Sequence, residues 1–298
     1  MDNYRIIDAH AHLWMEQNTV VDGQPIHSLD GNRSRSLFFG NEVQMLPPFM
    51  IDGHNTAEVF LSNMDYAQVS AAVVVQEVID GNQDAYLAEV QKRYPNRFLC
   101  CGMIDSKTRE LSAAQLAFKA FAMPGHRIKE PLQAFLPLFK QLEREGKYLD
   151  MCLADDERQI SEFDEILQEC PDLRVAIGHF GMVTTPSWRQ QILLARHKNV
   201  MIESGGITWL YNSEFYPYPS AVRSIREAAD MVGMDKLMWG SDYPRTITAI
   251  TYRMSYDFVC KSDQLTSDQK ALFLGANAER FYGLEGLVDL PYIKNMSE

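Results

Sequence analysis

The sequence predicts an α/β fold, a (β/α)8 TIM-like barrel that spans residues 1–298 as one domain. The first observation is that apolar runs recur along the chain, several of them continuous, as in parallel strands buried on both faces. The second is that amphipathic helical patterns lie between these runs. The third is the length, because 298 residues fit one barrel with its loops.

Eight runs are predicted as the barrel strands. In chain order they are RIIDA from Arg5, AAVVVQ from Ala71, RFLCCGMI from Arg97, HRIK from His126, YLDMCL from Tyr148, RVAIG from Arg174, NVMIE from Asn199 and KLMWG from Lys236. Eight strand–helix units in series favour a closed barrel over two doubly wound domains.

The predicted helices end at residues that commonly stop helices. QDAYLAEVQKRY ends at Pro95, LPLFKQLEREG ends at Gly146, and ISEFDEILQECP stops before Pro171. Glycine is favoured just after a helix, and the residue before proline is disfavoured in helical conformation. Two further helices are predicted in SAVRSIREAADMVG, which ends at Gly233, and in NAERFYG after Ala276.

One connection is much longer than the others. From Trp14 to about Thr56 the chain is polar, weakly periodic and interrupted by glycine and proline. Loops of this length in compact domains are usually functional lids or disordered. Because it follows the first strand, we expect this lid-like insertion at the carboxyl end of the barrel, where barrel active sites are built.

Composition excludes several classes of protein. A net charge of −12 without a basic cluster argues against binding to nucleic acid or to an anionic membrane surface. No apolar run is long enough to span a bilayer, and the start MDNYR does not resemble a signal peptide. Five cysteines without a Cys-x-x-Cys spacing fit reduced thiols. We therefore expect a cytoplasmic protein that acts on a small molecule, with a homo-oligomer also expected.

Polar side chains stand at the ends of several predicted strands. Asp8, His10 and His12 alternate along the first strand and are predicted to share one face. The sixth, seventh and eighth strands end in His179, Glu203 and Asp242. A barrel gathers the ends of its strands into one ring, so His10, His12, His179 and Asp242 are expected to converge.

Imidazoles and a carboxylate are good ligands for zinc or a similar divalent ion. Each residue also has an ordinary explanation: His179 as a core histidine, Asp242 as a helix cap and Glu203 as a partner in an ion pair. The position of all of them at the same end of their strands favours a shared site. His10, His12 and Asp242 are the predicted metal ligands.

Five segments together resemble the amidohydrolase superfamily, and within it the amidohydrolase-related family. They are IIDAHAHLW, PDLRVAIGHFG, NVMIESGG, LMWGSDYPR and NAERFYGL. The resemblance implies a barrel of the metallo-dependent hydrolase type, with His10 and His12 as metal ligands. It implies that Asp242 binds the metal or accepts a proton from the attacking water, and that His179 lies beside the metal and acts on the substrate.

The chain departs from this family at the fifth strand. Decarboxylase-like members carry a histidine ligand at the end of that strand, whereas no histidine occurs from Tyr148 to Asp172, and Leu153 or Ala154 holds the expected place. Three alternatives stay open: His179 is a third histidine ligand, metal binding is weak, or the enzyme resembles metal-independent lactonases.

The predicted function is hydrolysis of a small carboxylated lactone, ester or amide. Asp242 would act as general base and His179 would stabilise the oxyanion or orient water. The expected cofactor is a divalent metal ion, zinc or alternatively manganese, and a metal-free form stays open. One alternative is non-oxidative decarboxylation on the same site, and another is a barrel that binds a small molecule without catalysis.

Further residues are candidates for binding the substrate. They are Arg127, Lys129, Glu203, Arg245 and Trp14. The cationic side chains could hold a substrate carboxylate by charge-assisted hydrogen bonds, and Trp14 could form a wall of the pocket. Surface ion pairs and packing within loops are the alternative explanations.

Overall fold

A computed structural model of the chain describes residues 4–297, which contain twelve β-strands and ten α-helices. The strands are β1 (Ile6–Ala11), β2 (Asn18–Val21), β3 (Gln24–Ser28), β4 (Arg35–Phe38), β5 (Asn41–Gln44), β6 (Val69–Val74), β7 (Phe98–Met103), β8 (Ala120–Met123), β9 (Tyr148–Met151), β10 (Arg174–Ile177), β11 (Val200–Glu203) and β12 (Leu237–Met238). The helices are α1 (Ala57–Tyr66), α2 (Asp84–Arg93), α3 (Leu136–Arg144), α4 (Glu157–Glu169), α5 (Trp188–Leu193), α6 (Ile207–Leu210), α7 (Pro219–Val232), α8 (Met254–Lys261), α9 (Ser267–Ala271) and α10 (Asn277–Tyr282).

The larger sheet is a (β/α)8 barrel, as the sequence predicts. Its strands follow the order β1-β6-β7-β8-β9-β10-β11-β12, and the paired neighbours run parallel. The amide of Ala9 in β1 donates to the carbonyl of Trp239, just after β12, at 2.9 Å. This bond joins the first and last strands, so the strand ends form a ring.

The fourth barrel strand lies upstream of its predicted position. It is β8, and the predicted strand HRIK instead begins in the single 3-10 turn Gly125–Arg127. The short run AFAM is fully buried in β8. Phe121 from this run packs against Gly102, where a Cβ would lie 2.9 Å from the Phe121 ring. A four-residue strand without an obvious flanking pattern is difficult to find from periodicity alone.

The helices predicted from amphipathic patterns are present as α2, α3, α4, α7 and α10. Three of them end as the sequence indicates, with Gly146, Gly233 and Gly283 at positive φ just beyond α3, α7 and α10. Within residues 4–297 no helix combines the length and apolar character that crossing a bilayer requires.

The insertion between β1 and α1 is folded. A lid-like insertion is expected from Trp14 to about Thr56, and within it β2–β5 form an antiparallel four-stranded sheet in sequential order. Two of its turns, Asp22–Gly23 and Phe39–Gly40, have positive φ at both residues, the geometry of a type I′ hairpin turn. Asp-Gly is a strong hairpin signal that the polarity of the segment obscured.

Alternating side chains divide the barrel into an inner and an outer layer. Small residues such as Ala71, Ala120 and Ala176 belong to the inner cluster, and the outer cluster packs against the helices. Two buried carboxyl groups, Asp150 and Glu203, lie on strands of this barrel. Small inner side chains leave space for these polar groups below the carboxyl ends of the strands.

Candidate active site

A cavity of about 300 Å³ opens at the carboxyl ends of the barrel strands. Its walls are His12, Glu77, Ile79, His126, Cys152, Leu153, Ala154, Asp155, Gly178, His179, Met182, Thr185, Trp209, Asp242 and Arg245. This volume is at the small end of the range for ligand pockets. The cavity therefore fits a small substrate.

The predicted alternation along β1 is broken next to the cavity. The register between β1 and β6 is irregular between Asp8 and Ala11, so Asp8 does not share a face with His10 and His12. Its carboxylate instead accepts hydrogen bonds from the amide of Ser241 at 2.8 Å and the hydroxyl of Tyr252 at 2.7 Å. Asp8 thus holds the segment after β12 in place, and the prediction that it shares a face with His10 and His12 was wrong.

The donor atoms of His10, His12 and Asp242 converge. The two Nε2 atoms of His10 and His12 lie 3.1 Å apart. Oδ1 of Asp242 lies 3.0 Å from Nε2 of His12 and 3.8 Å from Nε2 of His10. The structure thus brings the three predicted metal ligands into one buried cluster.

The protonation of His10 and Asp242 suits a metal ion. Burial and the neighbouring His12 lower the pKa of His10 to about 3, so its imidazole is neutral near pH 7. Burial opposes ionisation of Asp242, but His12 and Arg245 hold the pKa of its carboxyl well below the usual range. Metal ligands must be deprotonated in this way.

The same three residues pass a geometric test for a divalent ion. Oδ1 of Asp242 is buried without a hydrogen-bond partner, an arrangement that is costly unless something else satisfies the atom. Two nitrogen ligands at about 2.1 Å in tetrahedral geometry would be roughly 3.4 Å apart, close to the 3.1 Å between the imidazoles. The cluster could therefore hold a divalent metal ion.

Glu203 positions His10 from below. Its Oε1 lies 3.0 Å from Nδ1 of His10 and accepts the backbone amide of His179 at 2.7 Å. Its Oε2 accepts the amide of Gly205 at 2.6 Å. Burial raises the pKa of Glu203 to about 7. A carboxylate at Nδ1 directs the lone pair of Nε2 towards the cluster and fixes the ring.

Three glycines make space for this pair. A Cβ on Gly178 would lie 3.0 Å from Oε1 of Glu203, and one on Gly240 would lie 2.6 Å from Oε2. A Cβ on Gly205 would lie 2.7 Å from Cγ of His10. The sequences IGHFG, ESGG and WGSD therefore place small residues where the site needs close packing.

Asp80 supports the opposite side of the cluster. Both of its carboxylate oxygens accept from Nη2 of Arg245, at 2.8 and 2.9 Å. Oδ2 lies 3.6 Å from Nδ1 of His12, and Oδ1 accepts from the side-chain amide of Gln17 at 3.0 Å. Gln17 in turn accepts from the hydroxyl of Ser36 at 2.6 Å. Through these bonds the sheet of the insertion contacts the site.

His179 and Trp209 flank Asp242. The indole of Trp209 donates to Oδ2 of Asp242 at 2.7 Å. Nδ1 of His179 donates to the carbonyl of Gly205 at 2.8 Å, since a carbonyl only accepts, and the neutral ring then has a lone pair on Nε2. Burial and His10 lower the pKa of His179. Its donor atoms are not within the cluster that His10, His12 and Asp242 form.

Three predicted substrate-binding residues lie outside the cavity walls. Trp14 is buried against Leu46 and Met50. Arg127 does not line the cavity, and it donates to Oε2 of Glu77 at 3.0 Å. The exposed ammonium group of Lys129 forms an ion pair with Asp22 at 2.7 Å. Of the predicted group, Arg245 lines the cavity and Glu203 lies beneath it.

The end of β9 carries no histidine, as the sequence indicates. Cys152, Leu153 and Ala154 line the cavity there. Two residues before Cys152 on the chain, Asp150 of β9 is buried, and its Oδ2 has no hydrogen-bond partner. Burial and the neighbouring Glu203 raise the pKa of Asp150 well above its usual range, which favours the protonated form.

Sequence reasoning missed Glu77 and Asp80. Both follow β6 within VVVQEVID, so the rule that selected His179 and Asp242 at strand ends would have found them. Asp80 belongs to the short 3-10 turn after β6, and Glu77 caps this turn. The apolar residues Val78 and Ile79 between them obscured where the strand ends.

Comparison with known sequences agrees with this geometry. The sequence model of the amidohydrolase family matches residues 7–284. The L-fucono-1,5-lactonase of Burkholderia ambifaria is 25% identical over 309 aligned positions, which cover 94% of this chain and 96% of that protein.

Solved structures share the fold at lower identity. An amidohydrolase from Burkholderia multivorans with bound zinc has a TM-score of 0.68 at 16% identity, covering 94% of this chain and 99% of that chain. The 5-carboxyvanillate decarboxylase from Novosphingobium aromaticivorans, complexed with manganese and 4-hydroxy-3-methoxy-5-nitrobenzoic acid, has a TM-score of 0.63 at 16% identity, covering 95% and 97% of the two chains. The family match over nearly the whole chain, together with the barrel and its strand-end residues, identifies this protein as an enzyme of the amidohydrolase family.

Proposed function

We propose that the protein is a metal-dependent hydrolase of a small lactone or ester, with zinc as the metal and manganese as the alternative. The comparisons support a hydrolase or a decarboxylase of this family. The observation that carries hydrolysis is the position of Asp242. Its ionised carboxylate lines the cavity beside the imidazoles of His10 and His12, with Oδ1 free of hydrogen bonds.

His10, His12 and Asp242 would hold the metal. When bound, a divalent ion polarises a substrate carbonyl and lowers the pKa of water. Glu203 keeps the His10 ring in the required orientation, and Asp80 lies beside the outer nitrogen of His12.

Asp242 acts as the general base. Trp209 donates to Oδ2 and holds the carboxylate in place, and this carboxylate would accept a proton from the attacking water and return it to the leaving group. Arg245, whose Nη1 lies 3.7 Å from Oδ1, favours the ionised carboxylate. The structure of His179 favours a role in orienting water over one in donating to an oxyanion, because the neutral ring presents an acceptor at Nε2.

The test is hydrolysis of simple lactones and esters, such as dihydrocoumarin and p-nitrophenyl acetate, by zinc-loaded protein. Asp242→Asn keeps the size of the side chain and should lower kcat by at least about a hundredfold at saturating zinc. Asp263→Asn, which changes an exposed acid, is the matched control. Retention of half the wild-type kcat by Asp242→Asn would contradict the proposed base.

A further inference from the structure

The cations around the cavity are already paired with carboxylates. Arg245, on the wall, donates to both oxygens of Asp80. Arg127, behind the wall, donates to Glu77 at 3.0 Å, and Nε2 of His126 lies 3.5 Å from the same carboxylate oxygen. A substrate carboxylate would have to displace one of these partners to gain a charged hydrogen bond.

The wall also carries an excess of negative charge. The carboxylates of Glu77, Asp155 and Asp242 line the cavity, against the one guanidinium of Arg245. A bound divalent ion would bring this balance to neutrality without making it positive. Like charges across a binding interface disfavour association, so the cavity offers an anionic substrate little net attraction.

Much of the remaining wall is apolar. It is formed by Ile79, Leu153, Ala154, Met182 and the ring of Trp209. Two polar groups beside these apolar side chains already donate hydrogen bonds within the protein. The indole N–H of Trp209 donates to Asp242, and the hydroxyl of Thr185 donates to the carbonyl of Met182 at 2.9 Å. Hydroxyl groups of a substrate that face this apolar part of the wall would lose hydrogen bonds to water and regain few.

We infer that the substrate is an uncharged lactone or ester with an apolar, ring-sized body, and that carboxylated and polyhydroxylated lactones are poor substrates. This inference rests on the proposed function and narrows it. It favours an uncharged compound over the carboxylated one that the sequence predicts. The carbonyl would face the His10–His12–Asp242 cluster, and the body would contact the apolar wall.

Three probes test this selectivity with zinc-loaded protein. They are dihydrocoumarin, a ring-carboxylated dihydrocoumarin and L-fucono-1,5-lactone. We expect kcat/KM for dihydrocoumarin to exceed both other values by roughly tenfold or more, because each disfavoured probe buries polar groups without partners.

Asp155 provides a charge test at the cavity. Its exposed carboxylate accepts the backbone amide of Ser187 at 3.0 Å, and Asp155→Asn keeps an acceptor there while removing the charge. The ratio of kcat/KM for the carboxylated probe to that for dihydrocoumarin should rise at least about twofold. Glu157→Gln makes the same change of net charge two residues away and outside the cavity walls, and should leave this ratio unchanged.

The outcomes separate the two proposals. A carboxylated or sugar lactone hydrolysed as fast as dihydrocoumarin would overturn the uncharged-substrate inference and leave lactone hydrolysis standing. An unchanged ratio in Asp155→Asn would also count against the inference. Absence of hydrolysis with all three probes and with p-nitrophenyl acetate would overturn the proposed function, and the inference with it.

Discussion

Nδ1 of His10 lies 3.0 Å from Oε1 of Glu203, with both side chains fully buried at the carboxyl end of the barrel. The carboxylate therefore determines which nitrogen of His10 carries the proton and where the ring points. A group that orients a ligand in this way typically changes metal affinity by about 10–100-fold when it is removed.

We predict that Glu203→Gln weakens zinc binding by about 10–100-fold. The amide cannot serve as acceptor on both of its atoms, so His10 and Gly205 compete for one oxygen. Competition against a chromogenic chelator measures the affinity. Glu165→Gln, an exposed change on α4, is the control. Equal zinc affinity in the two variants would contradict the role of Glu203.

Asp80→Asn should lower kcat/KM for the best lactone by about 10–100-fold. The variant removes the charge that holds Arg245 and that faces Nδ1 of His12. Steady-state kinetics and zinc affinity should be measured together, since a purely structural role would change neither at temperatures where the variant is folded. Asp263→Asn serves again as the exposed control, and wild-type values in Asp80→Asn would contradict this prediction.

Gly205→Ala should destabilise the protein by about 1–3 kcal/mol and weaken zinc binding. The added Cβ would meet Cγ of His10 at 2.7 Å and Oε2 of Glu203 at 2.9 Å. Thermal unfolding and zinc titration measure the two effects. Gly31→Ala provides a contrast, because nothing lies within 4 Å of its Cβ although its φ is +83°. We expect Gly31→Ala to leave zinc affinity unchanged, and the same result for Gly205→Ala would contradict the packing argument.

The stability contributed by Glu77 should depend on pH. Burial opposes its ionisation, but hydrogen bonds and charges from His126 and Arg127 outweigh burial and lower its pKa to about 2. A depressed carboxyl pKa stabilises the fold above its unfolded value, near 4.5, and this contribution is lost as pH falls towards 2.

Glu77→Gln should therefore lower the free energy of unfolding at pH 7 by roughly 1–3 kcal/mol. The difference from wild type should shrink as pH falls from about 4.5 towards 3. Urea unfolding of both proteins across this range measures it. A difference that stays constant with pH would show that the charge of Glu77 is not responsible.

The barrel could be predicted from sequence because most of its strands are continuous apolar runs. β8 was misplaced because its four buried residues carry no periodic signal beyond their own length, and HRIK next to it was chosen instead. The sheet of the insertion was missed because its strands have four or five residues and expose much of their surface. The Asp22–Gly23 dipeptide was the sequence pattern that indicated a β-hairpin in this segment.

The candidate site was predictable to the extent that strand ends converge in a barrel. This rule found His10, His12, His179 and Asp242 without any sequence adjacency. The alternation of side chains along β1 misplaced Asp8, because the irregular register of β1 is set by contacts with neighbouring strands. The ion pairs of the predicted cations could not be read from the sequence either, since each depends on a distant residue.

Metal content tests the central claim most directly. Purified protein reconstituted with zinc and freed of excess metal should contain about one ion per chain by elemental analysis, since the buried cluster of His10, His12 and Asp242 is proposed to hold one ion. The double variant His10→Ala/His12→Ala should retain almost none. The control His27→Ala/His54→Ala removes two histidines of the insertion, outside the cavity walls, and should retain the wild-type amount. Equal metal content in the two double variants would contradict the account.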